Sequence, residues 1–130
     1  MTVGLHTTNV VNVWLNWIRG TNATAPTAIY SKLHTGDPGA SAATAAAAGS
    51  TTRVVTTFAA PSGGAIAING TNPVWTNGGT SETLSHVSEW DAISSGNPLW
   101  TAALSSSQAW ASGNTFTLTT LGVSISPLMA

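Results

Sequence analysis

Cysteine is absent from the 130 residues, so neither a disulfide framework nor a thiolate metal site can form. Charge is nearly absent as well. Three Lys and Arg and four Asp and Glu make up 5% of the chain, against about 25% in an ordinary soluble domain. At a net charge of −1 no cluster of Lys and Arg exists to neutralise phosphates, and nucleic acid is not an expected partner. No apolar run approaches the roughly 20 residues that cross a bilayer. The N-terminus lacks a basic stretch followed by a long apolar block, so neither an anchor nor a secretion signal is expected. Ser, Thr and Asn must hydrate the surface. With so little like-charge repulsion to keep copies apart, neighbouring proteins are expected to cover part of it.

What the chain does contain is enough to fold. A hydrophobic fraction of 42% and a mean hydropathy of +0.19 argue against disorder. Residues 1–8 read as a short arm, 9–20 as a helix, and 21–130 as one β domain. In the helix Val10, Val13, Trp14, Trp17 and Ile18 recur at three- and four-residue spacing, which lines one face with apolar side chains. Thr7, Thr8 or Asn9 can cap its start, and Gly20 can end it in the left-handed conformation. This stripe is expected to pack on the β domain or on a neighbouring subunit.

From Thr27 the period changes to two. Ile29 to His34 reads as a strand closed by Thr35-Gly36-Asp37-Pro38-Gly39, a run of turn formers. Ala40 to Thr52 is low-complexity Ala, Ser, Thr and Gly, expected to be a mobile loop that a partner orders. Arg53 to Phe58, Ala65 to Asn69 and Val74 to Thr76 read as further strands. Thr83 to Asp91 and Leu99 to Leu104 flank Ser94-Ser95-Gly96-Asn97-Pro98 as a hairpin, and Thr115 to Thr119 and Val123 to Ile125 alternate again. The fold class is therefore mainly β: an antiparallel sandwich or small barrel of about seven strands with one short N-terminal helix.

Little in the chain suggests chemistry. His34 and Asp37, like His86 and Glu89, are three residues apart, which on strands puts them on opposite faces. His34 and His86 could meet across strands, but hydrogen-bonded strand histidines are the plainer reading. No Gly-x-Ser-x-Gly elbow accompanies the many serines. Glu89 and Asp91 could share a strand face about 7 Å apart, although Asp91 fits better as the start of the hairpin loop. No catalytic residue, cofactor or metal site is expected. Of the six tryptophans, Trp75, Trp90, Trp100 and Trp110 fall among β segments, where core and interface roles outweigh sugar stacking.

Two runs carry a family resemblance. Ala25-Pro26-Thr27-Ala28-Ile29-Tyr30 with Leu33-His34-Thr35-Gly36-Asp37-Pro38-Gly39 resembles the opening of small actinobacteriophage virion proteins. His86-Val87-Ser88-Glu89-Trp90-Asp91-Ala92, with Gly96-Asn97-Pro98-Leu99-Trp100, resembles their second signature. The similarity runs from about Val10 to the C-terminus. It departs at Glu89, where a small or apolar residue is more usual, and in the alanine-rich loop. The resemblance implies a bacteriophage virion protein made in the host cytoplasm, with no catalytic residue.

The expected role is capsid decoration: binding the outer surface of the shell and stabilising it, with the major capsid protein and further copies of itself, as a homotrimer, for partners. A tail-fibre or tail-tip component is the first alternative and a carbohydrate-binding β-sandwich the second. The expected partner contacts are Met1, Thr2, Val3 and Leu5 in the arm, Trp14 and Trp17 on the helix, and the Ala40 to Thr52 loop.

Overall fold

The computed structural model describes residues 3–126. Among these residues nine strands form antiparallel ladders, with one helical segment near the N-terminus and no closed barrel. The strands are β1 (Gly4–Leu5), β2 (Ile29–His34), β3 (Val54–Thr56), β4 (Ala65–Ala67), β5 (Val74–Thr76), β6 (Glu82–Trp90), β7 (Pro98–Trp110), β8 (Thr115–Thr117) and β9 (Gly122–Ser124). Five of them make the main sheet in the order β1-β7-β6-β2-β3, and β4-β9 and β5-β8 form two short ladders. The mainly β expectation holds.

Strand alternation explains how these pieces pack. Leu33 pairs with Val87, and Val87 with Ala102, so all three lie on one face. On that face Leu33 and Val87 join Leu84, Trp75, Trp110 and Leu118 in the main core. A second cluster joins Val10, Leu99 and Trp100 to Phe58, Ile66 and Val123. The short ladders thus supply the second layer. Trp75 and Trp110 are each 2% exposed, and burying a side chain of that size stabilises a fold by about 3–5 kcal/mol relative to alanine.

The alanine-rich loop departs from expectation. It is fastened to the sheet. Beyond the end of β3, Thr35 donates its N–H to Ala45 O at 2.8 Å and Ala47 donates to Leu33 O at 3.0 Å, which extends the sheet edge. The Glu82 carboxylate accepts the N–H groups of Ala48 at 3.0 Å and Gly49 at 2.8 Å. Ala42 and Ala47 are fully buried. Gly49 is required where it stands, because a Cβ there would collide with the Asn77 side chain. Small side chains let this segment lie close against its neighbours, which composition alone had suggested was a sign of mobility.

The hairpin is close to its sequence reading, with a longer second strand. Asp91 does begin the loop: its Oδ1 accepts Asn97 N–H at 2.7 Å and its Oδ2 accepts the Asn97 amide at 2.9 Å. The pairing of β6 with β7 shifts between Leu84↔Gln108 and His86↔Ala103. Leu104 to Ser107 therefore leave the ladder as a bulge.

Candidate interaction surface

The helix begins with a π-helical turn, Thr7–Val11, that runs into α1, Asn12–Ile18. Its cap is His6, whose Nδ1 accepts Asn9 N–H at 3.2 Å; Thr7, Thr8 and Asn9 do not play that part. His6 also donates its N–H to Leu99 O at 2.7 Å, and the Asn9 amide donates to Pro98 O at 2.8 Å. These bonds fasten the first turn to the Pro98 end of β7. Val10 enters the core beside Leu99 and Trp100.

Beyond Val10 the helix is less covered: Val11, Val13 and Asn16 are half-buried and the larger apolar side chains are exposed. Trp14 is 40% exposed, Leu15 56%, Trp17 67% and Ile18 72%. The expected packing of Val10, Trp14, Trp17 and Ile18 on the β domain is therefore corrected within the protomer: only Val10 is buried. The helix is fastened through its first turn, at Leu99 and Pro98, and its last residues are the most exposed. Its terminal charge, Arg19, donates to Asn16 Oδ1 at 2.8 Å, and Gly20 ends it at φ +89°.

The other expected contact residues fall in two groups. Met1 and Thr2 lie outside the described residues. Val3 is 39% exposed, whereas Leu5 is half-buried in β1 against the Val10 cluster. Residues of this arm and the start of the alanine-rich loop, Gly39 and Ala40, line one hollow of about 420 Å³ with Pro98 and Trp100. The structure thus brings arm and loop together, while Trp14 and Trp17 stand apart on the helix.

A larger feature has no counterpart in the sequence reading. A cleft of about 810 Å³ opens between the bulged part of β7 and the segment from β8 to β9. Ile68, Ala102, Leu104, Phe116 and Leu121 line it while packing against the main core. Hydroxyl-bearing side chains, among them Ser106 and Thr119, line it as well, and no lining residue is charged. The bulge at Leu104 to Ser107 borders this cleft, and its only trace in the sequence is the end of alternation at Leu104.

The buried polar groups belong to the scaffold. His34 and His86 are register partners on one face, but each ring bonds a serine. The His34 Nε2 lies 2.7 Å from Ser88 Oγ, and its Nδ1 lies 2.9 Å from Thr44 O. A carbonyl at Nδ1 requires the proton there, so Nε2 accepts from the Ser88 hydroxyl. Ser88 also accepts from Trp90 Nε1 at 2.8 Å. Burial holds the His34 pKa down at about 4, and the neutral ring persists at ordinary pH. Ser88 and His34 are fully buried and line neither hollow described above, so the pair ties the loop carbonyl to the sheet.

Glu89 lies on the opposite face, fully buried, with Ser31 Oγ donating to its Oε1 at 2.5 Å. Thr56 Oγ1 is 2.5 Å from the same hydroxyl. Desolvation raises the Glu89 pKa to about 8, opposed by the Ser31 hydrogen bond, so the carboxyl is largely neutral at pH 7. Asp91 is in the hairpin loop, and the two carboxylates do not form a pair facing one site. Among the described residues no three His, Cys, Asp or Glu side chains gather as a metal site, and no helix is long and apolar enough to cross a membrane.

The described residues form a β module with few charges and a helix whose outer turns leave apolar side chains exposed, and the sequence comparison supports a phage virion structural protein. The family model described as podophage GP4 fiber I protein gp80 matches residues 6–126, and the chain belongs to that family. None of the curated proteins matches it. The class inferred from the two sequence signatures, a phage virion protein, agrees with this family. The match does not bear on the Leu33 to Gly39 signature itself.

Proposed function

We propose that the protein is a structural component of a phage tail fibre, acting through protein contacts and contributing no chemistry. The observation that carries this reading is the exposed apolar helix, with Trp14, Leu15, Trp17 and Ile18 held off the β domain. Apolar side chains gathered on an arm in this way mark an interaction site. The family description as a fiber protein supports the tail, and fits that location better than the shell-decoration role expected from the sequence. Anchoring the arm through His6, Asn9 and Val10 keeps the contact face rigid, which lowers the entropy lost on docking.

The carbohydrate-binding alternative has less behind it. A sugar platform needs several exposed tryptophans on the sheet, but Trp75, Trp90, Trp100 and Trp110 are all at most 8% exposed. The test of location is electron cryomicroscopy of particles with and without this protein. Density lost from the tail supports the fibre reading. Density lost from the outer shell overturns it and restores decoration.

A further inference from the structure

The helix and the cleft are complementary features of one chain. Each copy carries one apolar, uncharged projection, Trp14 to Ile18, and one uncharged cleft with apolar lining. We propose that the Trp14 to Ile18 segment of one copy seats in the β7–β8 cleft of the next, joining copies head to tail. This goes beyond the fibre reading and does not depend on where the protein sits in the particle.

Size and position support this occupant. A cleft of about 810 Å³ falls within the roughly 300–1,000 Å³ of sites that enclose a compact ligand, so it admits the tip of a helix bearing indole and aliphatic side chains. Within a protomer the two features are separated along β7. The helix is fastened at Pro98 and Leu99, whereas the cleft is lined by β7 residues from Ala102 to Gln108. The cleft lining on β7 begins at Ala102, three residues and roughly 10 Å beyond Leu99. No helix residue lines the cleft of its own chain, so the donor must be another copy.

Charge favours a self-partner too. A cleft built for an acidic or basic protein would present the opposite sign, and this one presents none. The hydroxyl-bearing side chains can serve Asn16, the polar residue of that segment. A contact between two different patches is heterologous, and it closes into a ring or runs on as a filament. A cyclic trimer is the smallest ring of the kind expected from the sequence.

Complementation between two crippled variants tests the idea. The helix variant is Trp17→Asp with Ile18→Asp; the cleft variant is Ser106→Asp with Thr119→Asp. All four sites are exposed, and circular dichroism with thermal melting verifies that each variant folds. Light scattering after size exclusion should show wild-type oligomers at 100 micromolar and monomers of each variant alone. An equimolar mixture should give two-chain species and nothing larger, because one intact helix meets one intact cleft. The proposal is overturned by a monomeric wild type, by a cleft variant that assembles like wild type, or by a mixture that stays monomeric.

Discussion

Ser31 and Glu89 face each other across β2 and β6, with hydroxyl and carboxyl oxygens 2.5 Å apart and both side chains fully buried. A carboxyl in that position folds most readily as the neutral acid, and the pH dependence of stability follows. The folded Glu89 pKa, about 8, lies above its unfolded value of about 4.3. Its contribution is complete below the unfolded value and is lost as pH rises through the folded one.

Burial of His34 acts in the other direction. Its folded pKa of about 4 lies below the unfolded value of about 6.5, so its contribution is present above pH 6.5 and lost as pH falls toward 4. The two trends oppose each other between about pH 4.3 and 6.5. Above that only the Glu89 loss remains, about 2 kcal/mol between pH 6.5 and 8. Urea midpoints at pH 6.5 and pH 8.5 should fall for the wild type and stay level for Glu89→Gln. Equal falls in both proteins would remove Glu89 as the cause.

The tryptophans should separate into two classes on substitution. Trp110 is 2% exposed and donates its Nε1–H to Asn114 O at 2.9 Å, so Trp110→Ala should cost about 3–5 kcal/mol. Trp17 is 67% exposed, and Trp17→Ala should change protomer stability by no more than about 0.5 kcal/mol. Chemical denaturation of dilute protein, below the concentration of any assembly, measures both.

Glu82 should govern the alanine-rich loop. Removing its carboxylate strands the N–H of buried Gly49, at a cost of about 1–3 kcal/mol, and leaves the N–H of exposed Ala48 to water. Hydrogen exchange is expected to quicken at Ala47 to Gly49 in Glu82→Ala, while amides in the centre of the β6–β7 ladder stay protected. Uniform acceleration over the whole domain would mean the carboxylate supports the fold globally and has no special hold on the loop.

Gly96 tests the hairpin. It holds φ +68°, and a Cβ there would meet Asp91 Oδ1 and Ala92, so Gly96→Ala should displace the Asp91 to Asn97 bonds. A lower melting temperature with loss of the Asn97 amide protection is the expected result.

Alternation, turn residues and composition determined a good deal by themselves. Ile29–His34 was legible to the residue because alternation along that strand is a local property, closed by a run of turn formers. Trp75, Trp90, Trp100 and Trp110 are buried, which takes the core side of the core and interface roles that their β setting suggested. Other features needed residues distant in the chain. The loop is held by Glu82, 34 residues beyond Ala48. The helix points away because His6 and Asn9 bind the far end of β7, at Leu99 and Pro98. An apolar stripe records that a helix has a face to bury, but its direction depends on where its first turn is fastened. The cleft depends likewise on a β7 bulge that a run of serines does not announce. Periodicity is written into neighbouring residues, whereas exposure is set by what the rest of the fold leaves uncovered, and only the tertiary structure decided that.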